Sequence, residues 1–181
     1  MTPTFPPNAE RKYELMKKNI VLCGFMGSGK STVGKILSKK LFYRYIDMDK
    51  YIEELSGMKI PDIFKVYGEE GFRDIEHKAA CSLGKLSGAV IATGGGALTF
   101  KRNIAPLSEN SDIVYLNVDF ETCYRRIKNS DRPLVHSNTK SELKALFEKR
   151  DAFYKRAANV VIDNPGSSEK MADAITEILQ V

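Results

Sequence analysis

The stretch Asn19-Ile20-Val21-Leu22-Cys23-Gly24-Phe25-Met26-Gly27-Ser28-Gly29-Lys30-Ser31-Thr32 runs from an apolar segment into a glycine-rich turn. Gly24 to Ser31 fit the phosphate-loop pattern G-x-x-x-x-G-K-[ST] at every fixed position. The apolar run before it reads as a buried parallel strand. After it, Val33, Ile36, Leu37 and Leu41 recur on one helical face. Strand, glycine loop and helix together are the context in which such a loop cradles phosphates. Its glycines let successive N–H groups converge on an anion, and the helix dipole points at the same place. Lys30 can reach β- and γ-phosphates, and the Ser31 hydroxyl can ligate Mg²⁺. The motif implies a nucleoside triphosphate and magnesium and leaves the acceptor open. The alternative reading is a plain glycine turn between strand and helix.

Outward from this stretch, strand and helix patterns alternate. Strands are expected at Asn19–Phe25, Tyr43–Met48, Ala89–Thr93, Asp112–Val118 and Asn159–Asp163. Helices are expected at Lys30–Phe42, Asp49–Leu55, Ile60–Tyr67, Gly71–Lys85, Phe100–Leu107, Phe120–Lys128, Lys140–Ala157 and Ser168–Leu179. That alternation predicts an α/β fold with a parallel sheet wrapped on both faces. In such sheets ligands sit beyond the carboxyl ends of the strands. Residues 19–181 read as one domain. Asn129 to Thr139 has the composition of a mobile loop, and residues 1–18 form either a loose extension or a short helix around Glu10–Lys17.

Bulk properties narrow the class. A chain of 181 residues, 43% hydrophobic and 28% charged, is an ordinary globular protein with a full-sized core. Its net charge of +5 is scattered rather than blocked, which suits a polyanionic small ligand better than nucleic acid. Cys23, Cys81 and Cys123 have neither metal-ligand spacing nor a disulfide framework, which fits a reducing cytoplasm. No apolar run approaches the length of a membrane span, and no signal-peptide pattern opens the sequence.

The residues after each strand carry the remaining chemistry. Asp47 and Asp49 point the same way if both extend the second strand. One could hold a magnesium shell and the other could accept hydrogen bonds from a hydroxylated substrate. Either could instead cap the following helix. Gly94-Gly95-Gly96 follow the third strand and allow close backbone approach to a ligand, or a tight turn. Arg73 and Glu76 are spaced for an ion pair, which reads as a surface pair when taken alone. Arg125, Arg126, Arg132 and Arg150 read singly as solvated, although phosphoryl transfer needs cations around the moving group. His77 and His136 have no partner spacing and read as surface residues.

Taken in order, these strings resemble shikimate kinase. The resemblance rests on Gly24–Thr32, Ile46-Asp47-Met48-Asp49, Gly68-Glu69-Glu70-Gly71-Phe72-Arg73-Asp74-Ile75-Glu76, Ala92-Thr93-Gly94-Gly95-Gly96, Asp131-Arg132-Pro133-Leu134 and Lys149-Arg150-Asp151-Ala152-Phe153-Tyr154. It implies a three-layer P-loop kinase fold with strand order 2-3-1-4-5 and a moving lid about residues 129–139. It implies ATP-dependent phosphorylation of the 3-hydroxyl of shikimate, a step towards chorismate and the aromatic amino acids. By the same resemblance, Gly27, Ser28, Gly29, Lys30, Ser31 and Thr32 would hold ATP, with Arg125 flanking adenine. Arg132 would close over ATP from the lid. Ser31 would ligate Mg²⁺, with Asp47 holding it through water. Asp49 would bind and polarise the acceptor hydroxyl, and Arg73 and Arg150 would clamp the shikimate carboxylate. Gly94, Gly95 and Gly96 would shape the pocket, and Glu76 would orient Arg73 or a substrate hydroxyl. A monomer with an open lid in the absence of ligand is expected.

Overall fold

The computed structural model describes residues 17–163 and 166–181. The possible helix around Glu10–Lys17 lies outside the described residues, apart from Lys17. In chain order the elements are β1 (Asn19–Cys23), α1 (Lys30–Leu41), β2 (Arg44–Asp47), α2 (Met48–Ser56), α3 (Ile60–Gly84), β3 (Ala89–Ala92), a 3₁₀ turn (Ala97–Thr99) and α4 (Lys101–Ser108). They continue with β4 (Ser111–Asn117), α5 (Phe120–Ile127), α6 (Pro133–Ser137), α7 (Lys140–Ala157), β5 (Val160–Asp163) and α8 (Ser168–Leu179).

The five strands are all parallel, in the order β2-β3-β1-β4-β5. The strand hydrophobicity accounts for this order. Every residue of β1 and β3 is buried, so these strands take the interior, whereas β2 and β5 carry exposed positions and lie at the edges. The connection from β1 to β2 runs one way across the sheet, and those from β2 to β3, β3 to β4 and β4 to β5 run the other. Right-handed crossovers then place α1 on one face and α2 to α7 on the opposite one. The contacts agree: α1 packs on β3 and beside α8, while α3 packs beside α4 and α7 lies on β4 and the 3₁₀ turn. The chain reverses direction between β1 and β3, which opens a crevice at their carboxyl ends.

The two helices expected at Ile60–Tyr67 and Gly71–Lys85 are the two parts of α3, separated at Gly68, whose φ of 68° and ψ of −171° are not helical. Two local features differ from the sequence reading. The second strand stops at Asp47, whose carboxylate accepts from the amides of Asp49 and Lys50 and caps α2. Asp49 therefore lies in the first turn of a helix rather than on the strand. The polar segment 129–139 is not all loop, since Pro133 opens the short helix α6 at a position where its missing N–H is not needed.

Two anchors fix the elements that carry the site. Thr139 and Glu142 form a capping box, with the Thr139 N–H donating to Glu142 at 2.7 Å, so α7 starts at a defined residue. Tyr115 on β4 then donates to Asp151 on α7 at 2.8 Å. Phe25 after β1 meets Phe147 on α7 edge-on at 5.2 Å, and Phe120 on α5 joins both.

The tightest helix contact is between α3 and α4, where a Cβ on Gly84 would sit 1.9 Å from the carbonyl oxygen of Pro106. Backbone cannot yield as a side-chain tip can. Gly84→Ala is expected to lose about 1–3 kcal/mol or more, read as a lower urea midpoint at unchanged slope. Gly57→Ala, whose added methyl would meet nothing within 4 Å, should lose only about 1–2 kcal/mol, the cost of a left-handed backbone.

Candidate active site

A cavity of about 310 Å³ opens at the carboxyl ends of β1, β2 and β3. It is lined by Gly27, Gly29, Lys30, Ser31 and Thr32 from the glycine loop and α1, by Asp47 and Asp49, and by Thr93, Gly94 and Gly95 after β3. Arg126 and Arg132 close its other side. Residues predicted from four separate strings thus border one space.

The loop takes its shape from Gly24, Gly27 and Gly29, with φ of 147°, 82° and 100°. A side chain at Gly27 would also meet the Cys123 carbonyl oxygen at 2.6 Å. The Lys30 ammonium folds back and donates to the carbonyls of Gly24 at 2.8 Å and Phe25 at 3.0 Å. Burial pushes its pKa down to about 8, helped by the nearby charge of Arg132. Ser28 departs from expectation. It is 1% exposed, does not border the cavity, and spends its amide on the Phe25 carbonyl within the turn. Its small side chain fills the space beneath Gly24 instead.

Asp47 and Asp49 reach the cavity by different means, one as the cap of α2 and one from its first turn. Asp49 sits against the end of β3, since a Cβ on Gly94 would come 2.5 Å from its Oδ1. Burial and the neighbouring Asp47 carboxylate raise the Asp49 pKa, opposed by Lys30 and Arg132.

Arg125, expected to flank adenine, is exposed and does not border the cavity. Arg126 borders it and donates to the Gly27 carbonyl at 2.9 Å. The reason is helical phase. Asp119 caps α5 and Phe120, Cys123 and Ile127 form its buried face, so Arg126, three residues after Cys123, lies towards the loop. Arg132 comes from the segment leading into α6 and reaches the cavity although no ligand is present.

Arg73 and Arg150 lie just past Gly95. The guanidinium of Arg150 is 3.2 Å from where a Gly95 side chain would begin, and that of Arg73 is 3.2 Å from the same point on Gly96. Only glycines let both approach the turn. The Arg73–Glu76 pair is not a surface pair, because the Glu76 side chain is 3% exposed and that of Arg73 16%. Arg73 Nη1 donates to both Glu76 oxygens at 3.0 Å, its plane lies over the Phe100 ring, and its buried Nε has no partner among the described residues. Burial raises the Glu76 pKa, with Arg73 opposing most strongly.

Two buried polar side chains were not predicted as site residues. Tyr154 donates to the Gly95 carbonyl at 2.5 Å, and Asn103 donates to Glu76 at 3.2 Å and to the Ala97 carbonyl at 2.9 Å. Tyr154 lies four residues after Arg150 on α7, a spacing that signals a shared face. Nothing in one sequence marks Asn103. His77 is likewise half-buried, with Nδ1 facing Asn103.

The family model described as shikimate kinase matches residues 26–180. The shikimate kinase of Sulfurihydrogenibium sp. is 44% identical over 164 residues, covering 89% of this chain and 98% of that protein. That of Geobacter sulfurreducens is 45% identical over 163 residues, covering 89% and 88%. Among solved structures, shikimate kinase from Acinetobacter baumannii in complex with shikimate aligns with TM-score 0.85 and 35% identity over 93% of this chain and 96% of that one. Deoxyadenosine kinase from M. mycoides with bound dATP aligns at TM-score 0.62 and 20% identity, a likeness of fold.

The charges around Asp49 give a test of this geometry. Its carboxyl is expected to titrate above the ordinary aspartate range in carbon-detected NMR. It should move further up in Lys30→Ala and in Arg132→Ala, because each removes a cation that favours the ionised form. A downward shift in either variant would contradict the placement of these three groups.

Proposed function

The chain belongs to the shikimate kinase family, and from that kinship we propose that it transfers the γ-phosphoryl group of ATP to the 3-hydroxyl of shikimate, giving shikimate 3-phosphate and ADP. One observation carries the residue assignment. Two guanidiniums, Arg73 and Arg150, converge on a side-chain-free turn beside a cavity that also holds a phosphate loop and the Asp49 carboxylate. A planar guanidinium matches a carboxylate fork, so the acceptor's acid group lies between these arginines. Its ring then extends towards Asp49.

In this reading the loop amides and Lys30 hold the triphosphate, and Arg126 rather than Arg125 flanks its base. Ser31 would ligate Mg²⁺ directly and Asp47 would hold it through water. A hydroxyl and one carboxylate suit a hard cation that keeps most of its shell as water and phosphate oxygen. When bound, the metal neutralises charge on the phosphates. Asp49 accepts the hydrogen bond of the attacking hydroxyl and draws its proton away from the oxygen. As the new O–P bond forms and the bond to the ADP oxygen breaks, negative charge spreads over the transferring group. Lys30 and Arg132 stand where they offset it. Closure of residues 129–139 excludes water, so the nucleotide is not spent on hydrolysis. All these groups come from one chain, so a monomer suffices. The three free cysteines fit the cytoplasm, and no helix among the described residues is long and apolar enough to cross a membrane.

ADP release with MgATP across shikimate, quinate, gluconate and no acceptor tests the reaction. Release with shikimate alone, with a product one phosphate heavier, is expected; release only with another acceptor would overturn the assignment. Arg73→Ala and Arg150→Ala should each weaken shikimate binding by about 2–5 kcal/mol, read as a raised KM, because each leaves a carboxylate short of its partner. Lys30 adds a pH effect. A bound triphosphate favours the charged ammonium and raises its pKa from about 8, so binding near pH 8 should take up about half a proton. Calorimetry in buffers of different ionisation enthalpy reads this directly, and the uptake should vanish in Lys30→Ala.

A further inference from the structure

Asn103 is fully buried on α4, yet its carboxamide is the meeting point of three elements. Its Nδ2 donates to Glu76 Oε2 on α3 at 3.2 Å and to the carbonyl of Ala97 at 2.9 Å, in the turn that follows Gly96. Its Oδ1 faces His77 Nδ1 at 3.1 Å. The Ala97 carbonyl can only accept, so Nδ2 faces it and Oδ1 faces His77. The His77 Nδ1–H then donates to Oδ1, and Nε2 lies 3.7 Å from the Cys81 thiol.

We infer that Asn103 is a positioning residue for the acceptor's carboxylate, holding Glu76, and through it the guanidinium of Arg73, at a set distance from the Gly96 turn. The inference rests on the carboxylate role given to Arg73 above. Its basis is that one NH₂ group bonds both the acid that orients Arg73 and the backbone beside which Arg73 lies. Glu76 is engaged by Arg73 Nη1 at both oxygens and by Asn103 at one, so rotation of its carboxylate costs a hydrogen bond to a charged group. Without Asn103 the Glu76–Arg73 pair keeps its mutual bonds and loses its tie to the turn. His77 in turn fixes the amide that makes the tie.

Asn103→Ala tests this in the full-length protein. The KM for shikimate should rise about tenfold, the size of one hydrogen bond to a charged group. The KM for MgATP and kcat at saturating shikimate should stay within about twofold. Two comparisons separate positioning from general loosening. An acceptor whose ring carboxylate is replaced by hydroxymethyl should give the same kcat/KM with wild type and variant. In an Arg73→Ala background, Asn103→Ala should change the shikimate KM no further. An unchanged shikimate KM, equal losses with both acceptors, or effects that multiply with Arg73→Ala would each overturn the inference. If the alanine variant does not fold, Asn103→Asp keeps the size, sets a second acid against Glu76, and undergoes the same comparisons. If Arg73→Ala alone leaves the shikimate KM unaltered, it is the carboxylate role of Arg73 that fails.

Discussion

The ammonium of Lys30 is half-buried at the wall of the cavity, held by the carbonyls of Gly24 and Phe25. Partial removal of a cation from water onto carbonyl partners is disfavoured, and a pKa lowered to about 8 records that. The surrounding structure is arranged to keep it there. β1 is buried along its whole length, so the loop leaves the sheet at a fixed point. Phe25 is locked between Phe120 and Phe147, which aims its carbonyl inwards. Arg126 takes the Gly27 carbonyl and ties the far side of the loop to α5. The loop is a rigid cradle because its neighbours on two later helices make it one.

The fold was legible in the sequence to a degree the site was not. Strand and helix positions follow from runs such as Asn19–Cys23 and from the start of α7 at Lys140, because hydrophobic period and capping act over a few residues. The phosphate loop could be read for the same reason. The errors lie where two turns of helix, or two distant segments, decide the outcome. Arg125 and Arg126 differ by one residue, and only the phase set by the Asp119 cap and the Cys123 face separates them. Asp47 and Asp49 were paired correctly in space by an argument about strand alternation that the cap of α2 replaces. The burial of Arg73 and Glu76 depends on Phe100 and Asn103, which are far along the chain and invisible to a spacing rule.

The two halves of the site are built on opposite principles. In the loop after β1, glycines supply unusual φ. After β3, Gly94, Gly95 and Gly96 have ordinary φ and are needed for what they lack. A methyl on any of them would meet Asp49, Arg150 or Arg73 at 2.5 to 3.2 Å. Those neighbours are the tips of side chains, which can move, whereas the neighbour of Gly27 is the Cys123 carbonyl. A change at Gly27 therefore strains the fold itself, while a change at Gly94 to Gly96 displaces the groups that would touch substrate.

Charge couples the two halves. Lys30 and Arg132 oppose one another, and Asp49 and Asp47 do the same, so the cavity contains like charges on both sides. The attraction between Asp49 and the two cations offsets part of each repulsion and leaves the rest. A bound triphosphate would relieve the first, and a metal with an acceptor hydroxyl the second, so each partner makes the site more hospitable to the other. Interactions that strengthen only when both are present, and strengthen again as charge moves onto the transferring group, favour the transition state over either binary complex. The protein carries that imbalance as groups displaced from their ordinary pKa values, held in place by the packing of α5, α7 and the Gly94–Ala97 turn.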